Sequence, residues 1–242
     1  MRLDKLLEST FHYSRKTIKR LIQTKALTID GELAKDLSQV VDANVQTILV
    51  NGKRVGHDSQ VYYMLNKPSG VVSATRDSHH QTVVDLVPNH KKDVYPIGRL
   101  DRDTQGLMIL TNNGPLGFKL LHPQYHVDKV YEVVVNSRLT DKDCIAFAQG
   151  IVFLDGTVCK SAKLTIISAE DNRSVARVTI AEGKFHQVKK MFLSVGKKVI
   201  FLKRIMFAGI VLDDRLEVGD YRELYHNEIR LLLSLVERNS HK

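Results

Sequence analysis

The chain is poor in the residues that build disulfide frameworks and metal clusters. Its 242 residues include two cysteines, Cys144 and Cys159, which form no Cys-x-x-Cys pair. This spacing argues against a zinc site or a disulfide scaffold and favours two reduced thiols. No run of 18 apolar residues occurs, so no membrane span is expected, and no apolar stretch follows the first charged residues. We therefore expect a cytoplasmic protein that has no membrane partner.

Acidic residues are also scarce relative to basic ones. The sequence contains 36 Lys and Arg against 27 Asp and Glu, which gives a formal net charge of +9 at pH 7. Such a surplus favours a polyanionic partner, nucleic acid or anionic membrane, over a small neutral substrate. The length suffices for one large or two small domains.

Basic charge is concentrated at the beginning of the chain. Residues 1–25 contain seven basic and two acidic residues. Their apolar residues have helical spacing, which predicts two short helices with a shared apolar seam, and Ser14 is suited to cap the second. The second helix then presents a basic face of the kind that follows phosphates, formed by Arg15, Lys16, Lys19 and Arg20. A solvated helix face without a ligand is the alternative.

Two short strands, at residues 26–31 and 47–52, end in Asp-Gly and Asn-Gly turns and complete a small αα-β domain. We read the polar residues 51–60 as a linker, and place the domain boundary between residues 58 and 59. The larger domain, residues 59–242, is predicted to be α+β, a mixed and mainly antiparallel sheet with flanking helices. Its strands are expected at 61–66, 107–110, 129–135, 161–168, 174–181, 199–206 and around 216–224; its helices are expected at 115–122, 140–150, near 188–192 and at the end of the chain.

The densest polar cluster, residues 98–106, precedes the apolar run 107–110, which reads as a buried strand. The cluster therefore lies on a loop at the mouth of that strand. Asp101 stands there between Arg99 and Arg102. A carboxylate between cations is expected to remain ionised, as suits a nucleophile or general base facing a polyanion. A surface loop with salt bridges is the alternative interpretation.

Two pairs of residues have the types that ligate metals. Asp101 and Asp103 form an Asp-x-Asp pair, as in metal-dependent glycosyltransferases, and His79 is followed by His80. Arg102 separates the two acids, and adjacent histidines on a loop are more often polar surface than metal ligands. We therefore expect no metal site.

Four motifs, in a fixed order, resemble the signature of pseudouridine synthases. They are Leu65-Asn66-Lys67-Pro68-Ser69-Gly70, Gly98-Arg99-Leu100-Asp101-x-x-Thr104-x-Gly106-Leu107, Lys129-Val130-Tyr131 and Gly183-Lys184-Phe185-His186-Gln187-Val188-Lys189. The first domain resembles the S-four-type RNA-binding domain in residues 1–7, 14–15, 22 and 27–31. The likeness covers essentially the whole chain and is closest to the bacterial RsuA family, which acts on small-subunit ribosomal RNA. Gln105 stands where serine is common, at a position that is not catalytic in the family.

The resemblance implies that one uridine of ribosomal RNA is flipped out and isomerised to pseudouridine. The reaction breaks the C1′–N1 bond, rotates the uracil and rejoins it through C5, with no redox step and so no cofactor. Glycoside hydrolases need a second carboxyl group to manage water, whereas here water must be excluded. Whether the carboxylate attacks C1′ or removes the C2′ proton stays open.

The resemblance also implies roles for particular residues. Asp101 is the nucleophile or base, Lys189 pairs with it, and Tyr131 stacks on the extruded uracil. Arg99 enters the space that the flipped base leaves, and Lys67 contacts a phosphate or supports the site. The remaining RNA-binding residues that we predict near this site are Arg102, Lys184, His186 and Gln187.

The expected partner is ribosomal RNA or a partly assembled small ribosomal subunit, bound by a monomer. His186 before Gln187 favours the small-subunit branch by resemblance. A large-subunit enzyme and a non-catalytic, ribosome-associated RNA-binding protein are the alternatives. Taken singly, Tyr131 is as well explained as a core residue and Lys189 as a solvated helix residue, so the prediction depends on the ordered combination of motifs.

Overall fold

The first 56 residues fold as two helices against a four-stranded antiparallel sheet, in a computed structural model that describes residues 1–56, 60–88 and 93–238. Leu residues of the first helix and Ile18 and Leu21 of the second pack on the sheet in one core. Ser14 Oγ accepts a hydrogen bond from the backbone N–H of Thr17 at 3.2 Å, which confirms the predicted cap. The elements are α1 (Leu3–Phe11), α2 (Arg15–Gln23), β1 (Leu27–Ile29), β2 (Glu32–Leu33), β3 (Ile48–Val50) and β4 (Lys53–Arg54).

The predicted linker begins too early. Lys53 and Arg54 pair with Val50 and Leu49 of β3, and Val55 is buried in the core of the first domain. These residues looked like a linker because β4 is an exposed edge strand of two polar residues. The boundary predicted between residues 58 and 59 lies outside the described residues.

The rest of the chain is built on a second, mixed sheet in the order β13-β5-β7-β11-β8-β10-β9, with β12 on β11 and β6 on β7. Its strands pair antiparallel except for β7 and β11, which are parallel. This confirms the predicted α+β class. The strands are β5 (Tyr62–Lys67), β6 (Tyr95–Pro96), β7 (Gln105–Thr111), β8 (Lys129–Val135), β9 (Lys163–Glu170), β10 (Arg173–Ile180), β11 (Val199–Phe207), β12 (Ile210–Val211) and β13 (Tyr221–Glu223).

The apolar run in β7 is continuous because both faces of the sheet are covered. Leu107 and Ile109 enter one core, while Met108 and Leu110 enter the core on the opposite face. The short strands β6 and β12 were not predicted, and of the strand expected around 216–224 the structure forms Tyr221–Glu223.

Helices lie on both faces of this sheet. They are α3 (Gly114–Leu121), α4 (Asp141–Gln149), α5 (Gln187–Ser194) and α6 (His226–Arg238), with a 3-10 turn at Pro123–Tyr125. Thr140 and Asp143 form the predicted capping box of α4. Val40 and Val45 of the first domain join the core beneath α6, and Gln39 Nε2 donates to Glu237 Oε1 at 2.8 Å. Among the described residues, no helix combines the length and apolarity needed to cross a membrane.

Candidate active site

Lys67 supports the Asp101 loop from the side that faces the protein interior. The residue ends β5, is fully buried, and its ammonium is shared among four backbone carbonyls. Those of Pro68, Asp101, Arg102 and Thr104 lie 3.0, 3.2, 3.2 and 2.8 Å away. Burial lowers the pKa of Lys67 to about 8, although Asp103 and Asp101 act in the opposite direction. The carbonyls of the loop thus face the interior.

The burial of Lys67 corrects its inclusion among the RNA-binding residues. Its ammonium has no path to a phosphate because the loop covers it. Of the two roles expected for Lys67, support of the site is the one that matches its contacts.

Gly106 lies where no side chain fits. Its φ of +99° is in the left-handed region, and a Cβ would stand 2.3 Å from the carbonyl oxygen of Arg204. The close approach arises because Gly106 and Arg204 pair across the parallel contact of β7 with β11. The pairing of β7 with β11 therefore requires glycine at position 106, directly after the Asp101 loop.

Asp101 meets its cation from a distant part of the sequence. Lys189 Nζ of α5 lies 3.0 Å from Asp101 Oδ2, and His186 Nε2 lies 3.6 Å from Asp101 Oδ1. The expectation that Arg99 and Arg102 hold Asp101 is wrong: both are exposed, and neither forms an ion pair with Asp101 within the described residues.

Asp103 shares the same lysine, a contact that the sequence analysis missed. Lys189 Nζ lies 2.6 Å from Asp103 Oδ1. Burial acts to lower the pKa of Lys189, but Asp103 and Asp101 outweigh it, so the pKa is raised and the ammonium stays charged. The Asp-x-Asp pair thus faces a lysine. In the described part of the chain, no group of three or more His, Cys, Asp or Glu side chains is arranged for a metal ion.

A cleft of about 1300 Å³ opens over these side chains. The cleft brings together predicted site residues from three separate motifs. The predicted residues that line it are Arg99, Asp101, Arg102, Tyr131, Lys184, His186, Gln187 and Lys189. The four basic residues of α2 lie outside it, exposed on the first domain. Two separate cationic surfaces therefore exist, one in the cleft and one on α2.

Tyr131 reaches the cleft from β8, above a buried arginine that sequence reasoning missed. Arg204 is 2% exposed, and its Nε donates to the carbonyl of Leu107 at 2.7 Å. Burial lowers the pKa of Arg204, and the nearby Tyr131 acts in the opposite direction. An arginine in the middle of the mainly apolar strand 199–207 was the available signal. Arg204 and Tyr131 are register partners on the neighbouring strands β11 and β8.

Lys129 is a second cation of the cleft that the sequence analysis did not assign. Its ammonium donates to the carbonyl of Val127 at 2.9 Å and lies 5.8 Å from the ring centroid of Phe207. Burial lowers the pKa of Lys129 to about 8, with Arg204 contributing in the same direction. Alternation along β8 places it on the same side as Tyr131.

We had predicted that Gln187 binds RNA, but its side chain, although it lines the cleft, is buried and bonded within its own loop. It is 4% exposed, donates from Nε2 to Glu182 Oε1 at 2.7 Å, and accepts from the backbone N–H of Lys184 at 2.9 Å. The ammonium of Lys184 is likewise paired with Glu182, at 2.7 Å. Glu182, which the sequence analysis passed over, organises the loop 182–187.

Comparisons with known proteins agree with this architecture. A family model described as RNA pseudouridylate synthase matches residues 61–194, and an S4 domain model matches residues 1–46. A solved structure described as a pseudouridylate synthase is 31% identical, with a TM-score of 0.66 over 96% of this chain and 99% of that chain.

Full-length relatives are also similar. An uncharacterised RNA pseudouridine synthase of Bacillus subtilis is 43% identical over 96% of this chain and 98% of its own length. The ribosomal large subunit pseudouridine synthase B of Bacillus subtilis is 37% identical, covering 98% and 97%. The ribosomal small subunit pseudouridine synthase A of Yersinia pestis is 36% identical, covering 95% and 97%.

Proposed function

The chain belongs to the RNA pseudouridylate synthase family, and on that premise we propose that it isomerises one uridine of ribosomal RNA to pseudouridine. The observation that carries the proposal is the pair formed by Asp101 and Lys189, 3.0 Å apart at the wall of the cleft that also contains Tyr131. Asp101 acts on the ribose of the flipped-out uridine, at C1′ or at the C2′ proton. Lys189, paired with this carboxylate, holds it in position.

The nearby side chains then handle the freed base. Tyr131 stacks on the uracil while it rotates, and its hydroxyl assists proton transfer at C5. Arg99, exposed at the cleft, enters the gap in the RNA stack, where unstacking costs a few kcal/mol. Exclusion of water by the bound RNA prevents hydrolysis to an abasic site.

The first domain supplies RNA affinity at a distance from the reaction. Arg15, Lys16, Lys19 and Arg20 form an exposed basic face on α2, suited to phosphates of an RNA helix. We propose that the protein works as a cytoplasmic monomer on ribosomal RNA or a partly assembled small subunit.

Release of tritium from ribosomal RNA labelled at C5 of uridine tests the reaction. We expect release that EDTA does not reduce, since the mechanism uses no metal. Wild-type protein that binds the RNA but releases no tritium would leave the non-catalytic RNA-binding alternative, and loss of release with EDTA would favour a metal-dependent enzyme.

The ribosomal subunit is a separate part of the proposal. His186 before Gln187 favours small-subunit RNA, whereas the similarity to a large-subunit enzyme of Bacillus subtilis favours the other substrate. Mapping pseudouridines in both ribosomal RNAs of a deletion strain decides between them. We expect one pseudouridine to be missing from the small-subunit RNA of the deletion strain. If the missing pseudouridine is in the large-subunit RNA instead, that RNA is the substrate.

A further inference from the structure

Phe185 presents an aromatic ring to solvent at the cleft that contains Asp101. The residue is 72% exposed and belongs to the cleft lining. One face of the ring stacks on the imidazole of His186, with the centroids 3.8 Å apart and an interplanar angle of 21°. His186 Nε2 in turn lies 3.6 Å from Asp101 Oδ1. A single side chain therefore separates the exposed ring from the carboxylate assigned to the reaction.

The hydrogen bonds of the loop hold Phe185 in this exposed position. Glu182 Oε1 accepts from Gln187 Nε2 at 2.7 Å and from the backbone N–H of Lys160 at 3.0 Å. Gln187 Oε1 accepts from the backbone N–H of Lys184, which precedes Phe185. The polar side chains thus bond to the loop itself and the apolar ring faces water, which inverts the usual arrangement.

The ammonium of one lysine lies over the exposed ring. Lys190 Nζ lies 5.8 Å from its centroid and is held by Asp155 at 3.1 Å, while Lys184 and Lys189 line the same cleft. An exposed aromatic ring is how many proteins hold single-stranded nucleic acid, because a base stacks on the ring.

We propose that Phe185, backed by His186, is a stacking platform for the base of the nucleotide next to the target uridine. The proposal rests on the proposed function in taking RNA as its ligand. Since every base has a π-face, the platform accepts any base at this position. It fixes the strand beside the flipped-out nucleotide and thereby positions the ribose at Asp101.

The platform is tested by a double-mutant cycle in which Phe185 is replaced in the protein and one base is removed from the RNA. The only quantity measured in the cycle is the Kd of the complex. The probes are fluorescein-labelled RNA 12-mers that lack bases except for either one uridine or two adjacent uridines. The second base should lower the Kd of wild-type protein about tenfold, as stacking of one base does. For Phe185→Ala we expect it to lower the Kd less than twofold, since the second base has no ring to stack on.

Three controls isolate stacking from other effects. Phe185→Trp should retain the gain from the second base, because it keeps an aromatic face, and Phe185→Leu should lose it. Ile167→Ala truncates an apolar residue of similar exposure, 52%, on the outer strand β9, and should behave as wild type. The thermal unfolding midpoint of each variant reports whether it folds; exposed side chains are expected to leave it unchanged.

Equal gains from the second base in wild type and Phe185→Ala would overturn the platform. The result does not depend on isomerase activity, because none of these binding measurements requires turnover. Tritium release without this coupling would reject the platform and keep the isomerase, whereas coupling without tritium release from ribosomal RNA would reject the isomerase and keep the platform.

Discussion

The cationic side chains of the cleft and those of α2 differ in what surrounds them. Behind the Asp101 loop, Lys67 is shared among four carbonyls; in the cleft, Lys189 bridges two aspartates, and the buried Arg204 donates to the carbonyl of Leu107. On α2, the four basic side chains are exposed, and within the described residues no carboxylate forms an ion pair with them. Apart from the exposed Arg99 and Arg102, these cations of the cleft and its loop are thus committed to protein groups, whereas those of α2 are available to a ligand.

This difference separates positioning from affinity. A charge that is already paired inside the protein fixes the position of its partner, but it has little left to offer a phosphate. An exposed charge positions nothing, yet it gains from each phosphate that it neutralises by releasing counterions. Changes in the two regions should therefore affect different measurements.

The largest effect is expected from Asp101→Asn. The substitution keeps the shape and removes the reacting charge, so tritium release should fall by about 10⁴-fold or more, the scale for loss of a reacting group. The Kd for RNA should change little, because the charge lost is not one that binds phosphate. Asp214→Asn, at an exposed position, is the matched control. Retention of activity in Asp101→Asn would end the assignment of this residue.

Lys67→Met tests whether a buried cation positions the loop. Four carbonyls lose their donor, so the free energy of unfolding should fall by about 3 kcal/mol. Displacement of Asp101 by about 1 Å should also reduce kcat about 100-fold. Urea denaturation and tritium release measure the two effects. Lys163→Met replaces an exposed strand lysine and should change neither; a Lys67→Met protein with wild-type stability and kcat would contradict the role.

Arg15→Ala combined with Lys19→Ala tests the exposed face of α2. Two lost phosphate contacts should weaken RNA binding at low salt and reduce the slope of log K against log salt by about 2. Alanine favours the helix, so stability is maintained. Lys163→Ala with Arg173→Ala removes the same charges from the strands β9 and β10 as a control. An unchanged slope in the α2 variant would mean that the first domain has another task.

The smallest effect is expected from the ion pair between Lys189 and the exposed Asp103. The hydrogen bond that Lys189 donates lowers the pKa of Asp103 below its ordinary value of 3.8, and burial has a smaller, opposite effect. The pair therefore stabilises the fold above about pH 4, and this contribution is lost as the pH falls through the folded-state pKa. It should amount to less than about 1 kcal/mol, because exposed ion pairs are screened.

Comparing urea midpoints of wild type and Asp103→Asn at pH 6 and pH 3 measures this contribution. The difference between the two proteins should be present in full at pH 6 and smaller at pH 3. A difference of the same size at both values would show that the ion pair is not its source.

Local patterns predicted most elements, because caps, turns and apolar periodicity act between neighbours in the chain. The Ser14 cap, the Thr140 capping box and the strand 129–135 formed as expected. The strand β4 was missed because an edge strand of two polar residues has no periodicity. The local pattern assigned Arg99 and Arg102 to Asp101, which is wrong. The cation is Lys189, 88 positions along, which the resemblance to the family had paired with Asp101 and local spacing had not.

By itself the sequence determined the α+β class, the order of the motifs and the charge surplus, since each follows from residue type and local spacing. Only the tertiary structure decided which charges are used inside the protein and which remain for a ligand. Lys67, Gln187 and Phe185 show the reason: burial and partner depend on chain segments brought together from afar, so a lysine and a glutamine of the motifs turn inward while a phenylalanine faces water.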